Sequence, residues 1–278
     1  MADVRIALAS INLAPHFPGA LYKRIKSLLK PGETTVENVT YVASAGVSRQ
    51  RLLQLLEGDP KPIALIGIVV RPEPDVVEAF HAIGAPVILI DESAPGATTV
   101  SVDNFLGGFQ AGAHLAKLGR RRMLVVEGKI NADGDMCCIQ RLAGFKKALV
   151  DHGVPLAPDH VISCSDYSRK VGADAMDLVL KKFKGVDGIF CSAADQTAVG
   201  MLTVARERGV RIPEDIAIIG FDDLPFAATS NPPLTTVRQP LDAMAEAAYR
   251  LATVETGDVF REPRIVKLRP ELVVRQSA

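Results

Sequence analysis

Short apolar runs rich in β-branched residues alternate with helical stretches along this chain, and that alternation restricts its fold more than any other feature. Arg5–Ile11, Val36–Val42, Ala64–Val70 and Val87–Ile90 read as strands. Helices are expected after Pro18 through Leu29, over Ser48–Glu57 and over Asp75–Ile83, with Ser48 and Asp75 as N-caps. A short strand at Val100–Val102 leads into a helix over Asn104–Leu118, stopped by Gly119. The cycle then repeats through strands Met123–Glu127, His160–Cys164 and Gly188–Cys191, and helices Gln140–Asp151, Arg169–Phe183 and Asp195–Arg208. A last helix covers Asp242–Val254. Strand–helix units of this length build βαβ crossovers and parallel sheets. The units fall into two sets, so the fold class is α/β with two open sheets. A closed eight-stranded barrel is the competitor, since its unit count is close.

The segment IAIIGFDDLPFAATSNPPLTTVRQP, Ile216 to Pro240, carries the chemistry. Ile216–Phe221 has the composition of a strand covered on both faces. Gly220 lets the backbone turn, and Asp222 and Asp223 arrive at the carboxyl end of the strand, where open α/β sheets bind ligands. Pro232 and Pro233 force an extended exit before a strand beginning at Leu234. Asp222 is therefore a pocket-edge carboxylate able to accept two hydrogen bonds. Asp223 is the better placed helix cap.

The 278 residues are 48% hydrophobic and 23% charged, enough for a substantial core. Lys plus Arg equals Asp plus Glu at 32 each, so no basic surface for nucleic acid dominates. The run Arg120–Arg122 reads as a solvated loop. Four cysteines show neither paired metal spacing nor a disulfide framework, which fits a reducing, cytoplasmic compartment. No export signal opens the chain and no apolar run is long enough to span a bilayer, so no membrane partner is expected. Nucleophile elbow, phosphate loop, dinucleotide fingerprint and HExxH motifs are missing. The expectation is a protein that is not an enzyme and needs no cofactor or metal.

Several separated motifs stand in the order of one known family. PVILIDESAPGATTVSVDNFLGGFQAGAHLAKLGRRRMLVVEG, QRLAGFKKAL, the Ile216–Pro240 segment and the tail LRPELVVRQS together resemble lactose-repressor (LacI/GalR-type) transcriptional regulators, roughly from Val4 to Gln276. The resemblance implies a periplasmic-binding-protein-like type I fold: two Rossmann-like lobes joined by three crossovers, with a ligand in the cleft. The first lobe is read as residues 4–102 plus 238–264 and the second as 103–237 plus 265–278. Family regulators also carry an N-terminal helix-turn-helix and hinge helix. This chain begins where the effector-binding core begins, so operator DNA is an expected partner only through a domain missing here. The implied partners are a small polar effector, with a carbohydrate favoured, and a second copy in a symmetric homodimer. A free-standing periplasmic solute-binding protein is the alternative.

The resemblance also nominates contacts. Asp222 matches the family's ligand-binding aspartate, and Arg141 the arginine of its Arg-Leu-x-Gly-Phe motif, whose planar fork suits vicinal hydroxyls or an acid. Asp91 ends the strand PVILID and reads equally as a contact or as a turn-initiating residue. Tyr167 corresponds to an aromatic that stacks on ligand. From the first lobe, His16 and Phe17 would point into the cleft, and Arg71 could reach it. His16 has no second His or Cys at metal-ligand spacing. Asp135 and Cys137 sit where relatives present polar contacts. Ala194 replaces a ligand-bonding Asn, leaving Asp195 as a helix cap and Gln196 as a weaker contact. The pocket is therefore not a copy of a familiar sugar or purine site.

Overall fold

In the computed structural model the described residues are 4–11, 16–29, 34–40, 47–128, 136–253 and 262–278. The elements run β1 (Val4–Ser10), α1 (Phe17–Leu28), β2 (Thr34–Thr40), α2 (Val47–Leu55), β3 (Ala64–Ile68), α3 (Pro74–Ala82), β4 (Val87–Ile90) and β5 (Thr98–Val102). They continue through α4 (Asn104–Lys117), β6 (Met123–Glu127), α5 (Met136–Asp151), β7 (Val161–Ser163), α6 (Arg169–Lys182), β8 (Gly188–Cys191) and α7 (Asp195–Glu207). The last are β9 (Ala217–Asp222), α8 (Pro225–Thr229), β10 (Thr235–Arg238), α9 (Leu241–Thr253), β11 (Ile265–Leu268) and β12 (Glu271–Val273).

Two compact units result, Met1–Val102 with Pro240–Leu268 and Asp103–Gln239 with Arg269–Ala278. The first holds a sheet of order β11-β5-β4-β3-β1-β2, parallel throughout. The second has order β12-β10-β9-β8-β6-β7, in which only β12 is antiparallel. Each order reverses beside the first strand of its unit, between β1 and β3 and between β6 and β8. Such reversals open a crevice at the carboxyl ends of the strands.

Why these residues make strands follows from burial. Ala64–Ile68, Val87–Ile90, Met123–Glu127, Gly188–Cys191 and Ala217–Asp222 are buried without interruption, since helices cover both faces. In unit 1, Leu65, Val87 and Leu89 pack against Leu52, Val76 and Phe80. In unit 2, Leu124, Val126, Ile189 and Ile218 pack against Met176, Val179, Met201 and Leu202. Each such side chain contributes about 1.5–3 kcal/mol relative to an exposed one.

Several local expectations need correction. Residues 265–268 were assigned to the second lobe, but β11 pairs in parallel with β5 and extends the first sheet. Arg238 and Gln239, assigned to the first lobe, close the β9–β10 pair of unit 2. Helix α2 starts at Val47, so Ser48 lies inside it. The N-cap of α3 is Glu73; Asp75 sits in the first turn and pairs with Arg49. Arg120–Arg122 is more than a solvated loop. Arg120 donates to the carbonyls of Pro213 and Glu214, and the Arg121 and Arg122 amides donate to Asp187. The loop thereby fastens the amino ends of β6 and β8. Among the described residues, no helix is long and apolar enough to cross a membrane.

Candidate functional site

Strand β9 delivers Asp222 in a conformation that needs support. Its φ is +119° and that of Asp223 is +57°, both unfavourable for residues bearing a Cβ. Backbone held this way costs on the order of 1–3 kcal/mol per residue and persists only where its surroundings enforce it. Three sets of bonds enforce it here. Gln239 Nε2 donates to Asp222 Oδ1 at 2.8 Å, with both residues buried. The Asp223 carboxylate binds Arg238 at 2.7 Å and Arg275 at 2.6 Å. Asp195 Oδ2 accepts the Leu224 amide at 3.0 Å, and its Oδ1 accepts the Thr236 hydroxyl at 2.5 Å.

Those bonds revise two capping roles. Asp195 opens α7 but does not cap it; the N-cap is Ala194, which has no side-chain acceptor. The Asp195 carboxylate instead reaches across to β9 and β10, fully buried. Burial, followed by the negative charge of Asp222, holds it well above the usual carboxylate range. Asp223 does not cap α8 either, whose N-cap is Leu224 without a side-chain bond. It is an ion-pair hub that ties the turn to the C-terminal tail.

Arg141 lies on α5, and its 5% exposure makes it a buried cation. Its Nε donates to Asn104 Oδ1 at 2.7 Å and its Nη1 to the Ser192 carbonyl at 2.9 Å. The guanidinium carbon stands 3.6 Å from the centroid of the Phe221 ring. The approach of α5 depends on glycine. A Cβ at Gly108 would overlap the Arg141 carbonyl oxygen, and one at Gly144 would overlap that of Phe105. Helices α4 and α5 thus cross with their backbones nearly in contact, which sets Arg141 over the ends of β8 and β9.

Of the residues nominated by sequence, the structure brings Arg141 and Asp222 to this edge, bracketing Phe221. Gln196 is buried in the first turn of α7. Tyr167 is 37% exposed, and its ring occupies the space a Cβ on Gly128 would need, just past β6. Cys137 is half-buried near the start of α5. Asp135 lies outside the described residues. In unit 1, His16 is the N-cap residue of α1 and Phe17 its buried first residue. Asp91 follows β4 with φ +59°, and Arg71, after β3, bonds Glu92 at 3.3 Å. These four follow the carboxyl ends of the neighbouring strands β1, β3 and β4.

Sequence reading passed over Asn104, Phe221 and Gln239. Asn104 stood in the quoted Val-Asp-Asn run, and Gln239 closed the quoted Ile216–Pro240 segment. For Gln239, a polar residue directly after a buried strand at its carboxyl end was the available signal.

Comparison with known proteins adds a family. A model described as periplasmic binding protein-like domain matches residues 113–278. The chain belongs to that family. The "HTH-type transcriptional repressor PurR" of Salmonella paratyphi B is 32% identical over 211 residues, covering 74% of this chain. The chain spans 60% of the length of that relative. Among solved structures, a CelR–cellobiose complex superposes with a TM-score of 0.84 at 25% identity, covering 100% of this chain and 86% of that one. A LacI-family regulator from Enterococcus faecium with bound ribose gives a TM-score of 0.84 at 24% identity, covering 99% and 98%, and shows the shared fold. The fold is therefore that of periplasmic-binding-protein-like proteins, and the named homologues are transcriptional regulators, not enzymes.

Proposed function

We propose that this chain is the effector-binding core of a LacI-type transcriptional regulator, and that a small polar effector binds at the carboxyl edge of the second sheet. The observation that carries the reading is Asp222, buried on positive-φ backbone that three sets of bonds hold in place. A fold accepts that strain where a carboxylate must be presented to something. Arg141, set over the ring of the neighbouring Phe221, supplies a fixed cation, so the edge offers acceptors and a planar donor together. Vicinal hydroxyls suit both, and the similarity to a regulator described with cellobiose supports a carbohydrate. Similarity to a named repressor supports a regulator over a transporter component.

The mechanism proposed is linkage. An effector that binds one conformation more tightly shifts the population toward it, and coupling of about 1–3 kcal/mol is typical of such systems. Operator binding would be exerted through a DNA-reading domain, in a homodimer within the cytoplasm. A thermal-shift screen across pentoses, hexoses, disaccharides and polyols tests the reading. A ligand at a hundredfold excess over its Kd stabilises the fold by about 2.7 kcal/mol. Asp222→Asn should abolish the shift while the unliganded protein still melts cooperatively. An undiminished shift in that variant would place the effector elsewhere.

A further inference from the structure

The amino edge of the second sheet, at the opposite ends of the strands from Asp222, carries cations that the fold positions without neutralising. Residues 103–128 and 136–239 are all described, and this edge is built from them. Arg120 donates to the Pro213 carbonyl at 2.6 Å and to the Glu214 carbonyl at 3.1 Å. Arg121 Nη1 donates to the carbonyls of Arg120 at 3.2 Å and Ala116 at 3.4 Å, and Lys184 Nζ to that of Leu180 at 3.1 Å. The Arg122 guanidinium occupies the space a Cβ on Gly185 would need. The Asp187 carboxylate, which stands among them, accepts the Arg121 and Arg122 amides and meets no guanidinium.

The kind of partner matters. A carboxylate holds a cation and cancels its charge, whereas a carbonyl only holds it. Elsewhere on the chain Arg24, Arg49, Arg208 and Arg211 each pair with an aspartate. Among the described residues, Arg120, Arg121, Arg122 and Lys184 are in no ion pair. The four connections that enter β6, β7, β8 and β9 (residues 117–122, 151–160, 181–187 and 206–215) hold ten Lys and Arg against six Asp and Glu. Those into the adjacent strands β6 and β8 hold seven of the ten cations and one of the six anions, Asp187. The carboxyl ends of α4, α5, α6 and α7 precede these connections and offset about half a charge each, which leaves a surplus of about two positive charges.

An apolar group stands within the same run. Leu118, the C-cap residue of α4 between Lys117 and Arg120, is 45% exposed. An exposed aliphatic side chain beside arginines is the make-up of a protein interface, in which arginine is enriched and the centre is apolar. The interspersed carboxylates of Asp187, Glu214 and Asp215 would repel the uniform charge of a phosphate backbone, whereas a protein segment can match both signs. Guanidinium groups already held by carbonyls also lose less freedom when a partner arrives.

We propose that this amino edge is a docking surface for a partner protein, which binds through an acidic segment that also carries an apolar side chain. The apolar side chain covers Leu118, and the carboxylates engage Arg121 and Arg122. The surface lies at the far ends of the strands from Asp222, so the proposal does not depend on the effector reading.

The test uses two fluorescein-labelled peptides of equal charge, one repeating Glu-Glu-Leu and one repeating Glu-Glu-Ser, and a DNA oligonucleotide of the same charge, titrated by anisotropy. The wild type should bind the leucine peptide about tenfold more tightly than the serine peptide. Leu118→Ser should bring the two peptides to near equality. The double variant Arg121→Gln/Arg122→Gln keeps the amides that Asp187 accepts, and should weaken both peptides about fivefold at an unchanged melting temperature. Lys23→Gln/Arg51→Gln, which removes the same charge from the first unit, should alter neither. Failure of both peptides to bind, a leucine preference that survives Leu118→Ser, or equal weakening by the two double variants overturns the proposal. Tighter binding of the DNA than of either peptide gives the edge to nucleic acid and overturns it too. Self-association of the wild type that Leu118→Ser abolishes, seen by sedimentation, gives the edge to a second copy and does the same.

Discussion

The Arg141 guanidinium carbon stands 3.6 Å from the centroid of the Phe221 ring, while its Nε and Nη1 donate to Asn104 and the Ser192 carbonyl. One side chain therefore joins α4, β8 and β9 through a residue that is also a candidate ligand contact. Lysine keeps the charge but has neither the planar stacking surface nor the fork. Arg141→Lys leaves the Asn104 Oδ1 or the Ser192 carbonyl unsatisfied in a buried setting, at about 1–3 kcal/mol for each lost bond. Urea unfolding should show a loss of about 2–4 kcal/mol, together with loss of any ligand-induced shift. A variant with wild-type stability and altered binding only would make Arg141 purely a ligand contact.

The same arginine depends on glycines it does not bond. Adding a methyl group at Gly144 forces it against the Phe105 carbonyl, and α5 must move away from α4. Overpacking of this kind costs about 1–3 kcal/mol, and more where backbone rather than side chain must yield. Gly144→Ala should therefore lower the melting temperature and weaken effector binding together, because Arg141 shifts with its helix. Unchanged stability in Gly144→Ala would show that the helix crossing is looser than the backbone contact indicates.

Much of this was legible in sequence because burial on both faces writes itself as unbroken apolar runs. Ile66, Ile88 and Ile218 are all fully buried, and each sits in a run that read as strand. The segment Ile265–Leu268 escaped that logic: its exposure alternates at the edge of a sheet, and nothing local says which sheet it joins. The carboxyl edge was legible in part. Asp222 and Arg141 were nominated, but their support was not, since Asp195 lies 41 residues from Thr236 and Gln239 is 17 from Asp222. Pairings at such separations depend on tertiary packing. Asp195 was misread for the same reason: an aspartate at a helix start looks like a cap until the strands it touches are in place.

Asp195 also predicts a pH dependence. Burial, with the nearby Asp222 charge, raises its folded pKa well above the ordinary aspartate value of 3.8. Above that value the folded state holds a proton that the unfolded chain has released, so stability falls as pH rises toward the folded pKa. The contribution is whole below the unfolded pKa and is lost on the alkaline side. Asp195→Asn cannot ionise and should lack this slope. Melting curves from pH 5 to pH 9 should show the wild type's lead over the variant shrinking as pH rises. Parallel curves would mean that Asp195 is not the titrating group.

At the far end of the same strands, the C-terminal tail performs a comparable task with one hydroxyl. Ser277 is fully buried, donates to the Ile218 carbonyl at 2.6 Å and accepts the Thr235 amide at 2.8 Å. Its own carbonyl takes the Ile218 amide at 2.8 Å. The tail thus bridges β9 and β10 at their amino ends, while Asp222 and Gln239 meet at their carboxyl ends. Ser277→Ala removes only the hydroxyl, leaving a buried donor and a buried acceptor unsatisfied at about 1–3 kcal/mol apiece. The expected loss is about 2–4 kcal/mol, or several degrees in Tm. Because the main-chain bond survives, the variant should still fold at low temperature. A loss of stability below about 0.5 kcal/mol would show that the tail is held by Arg275 and its carboxylate partner instead of by the serine.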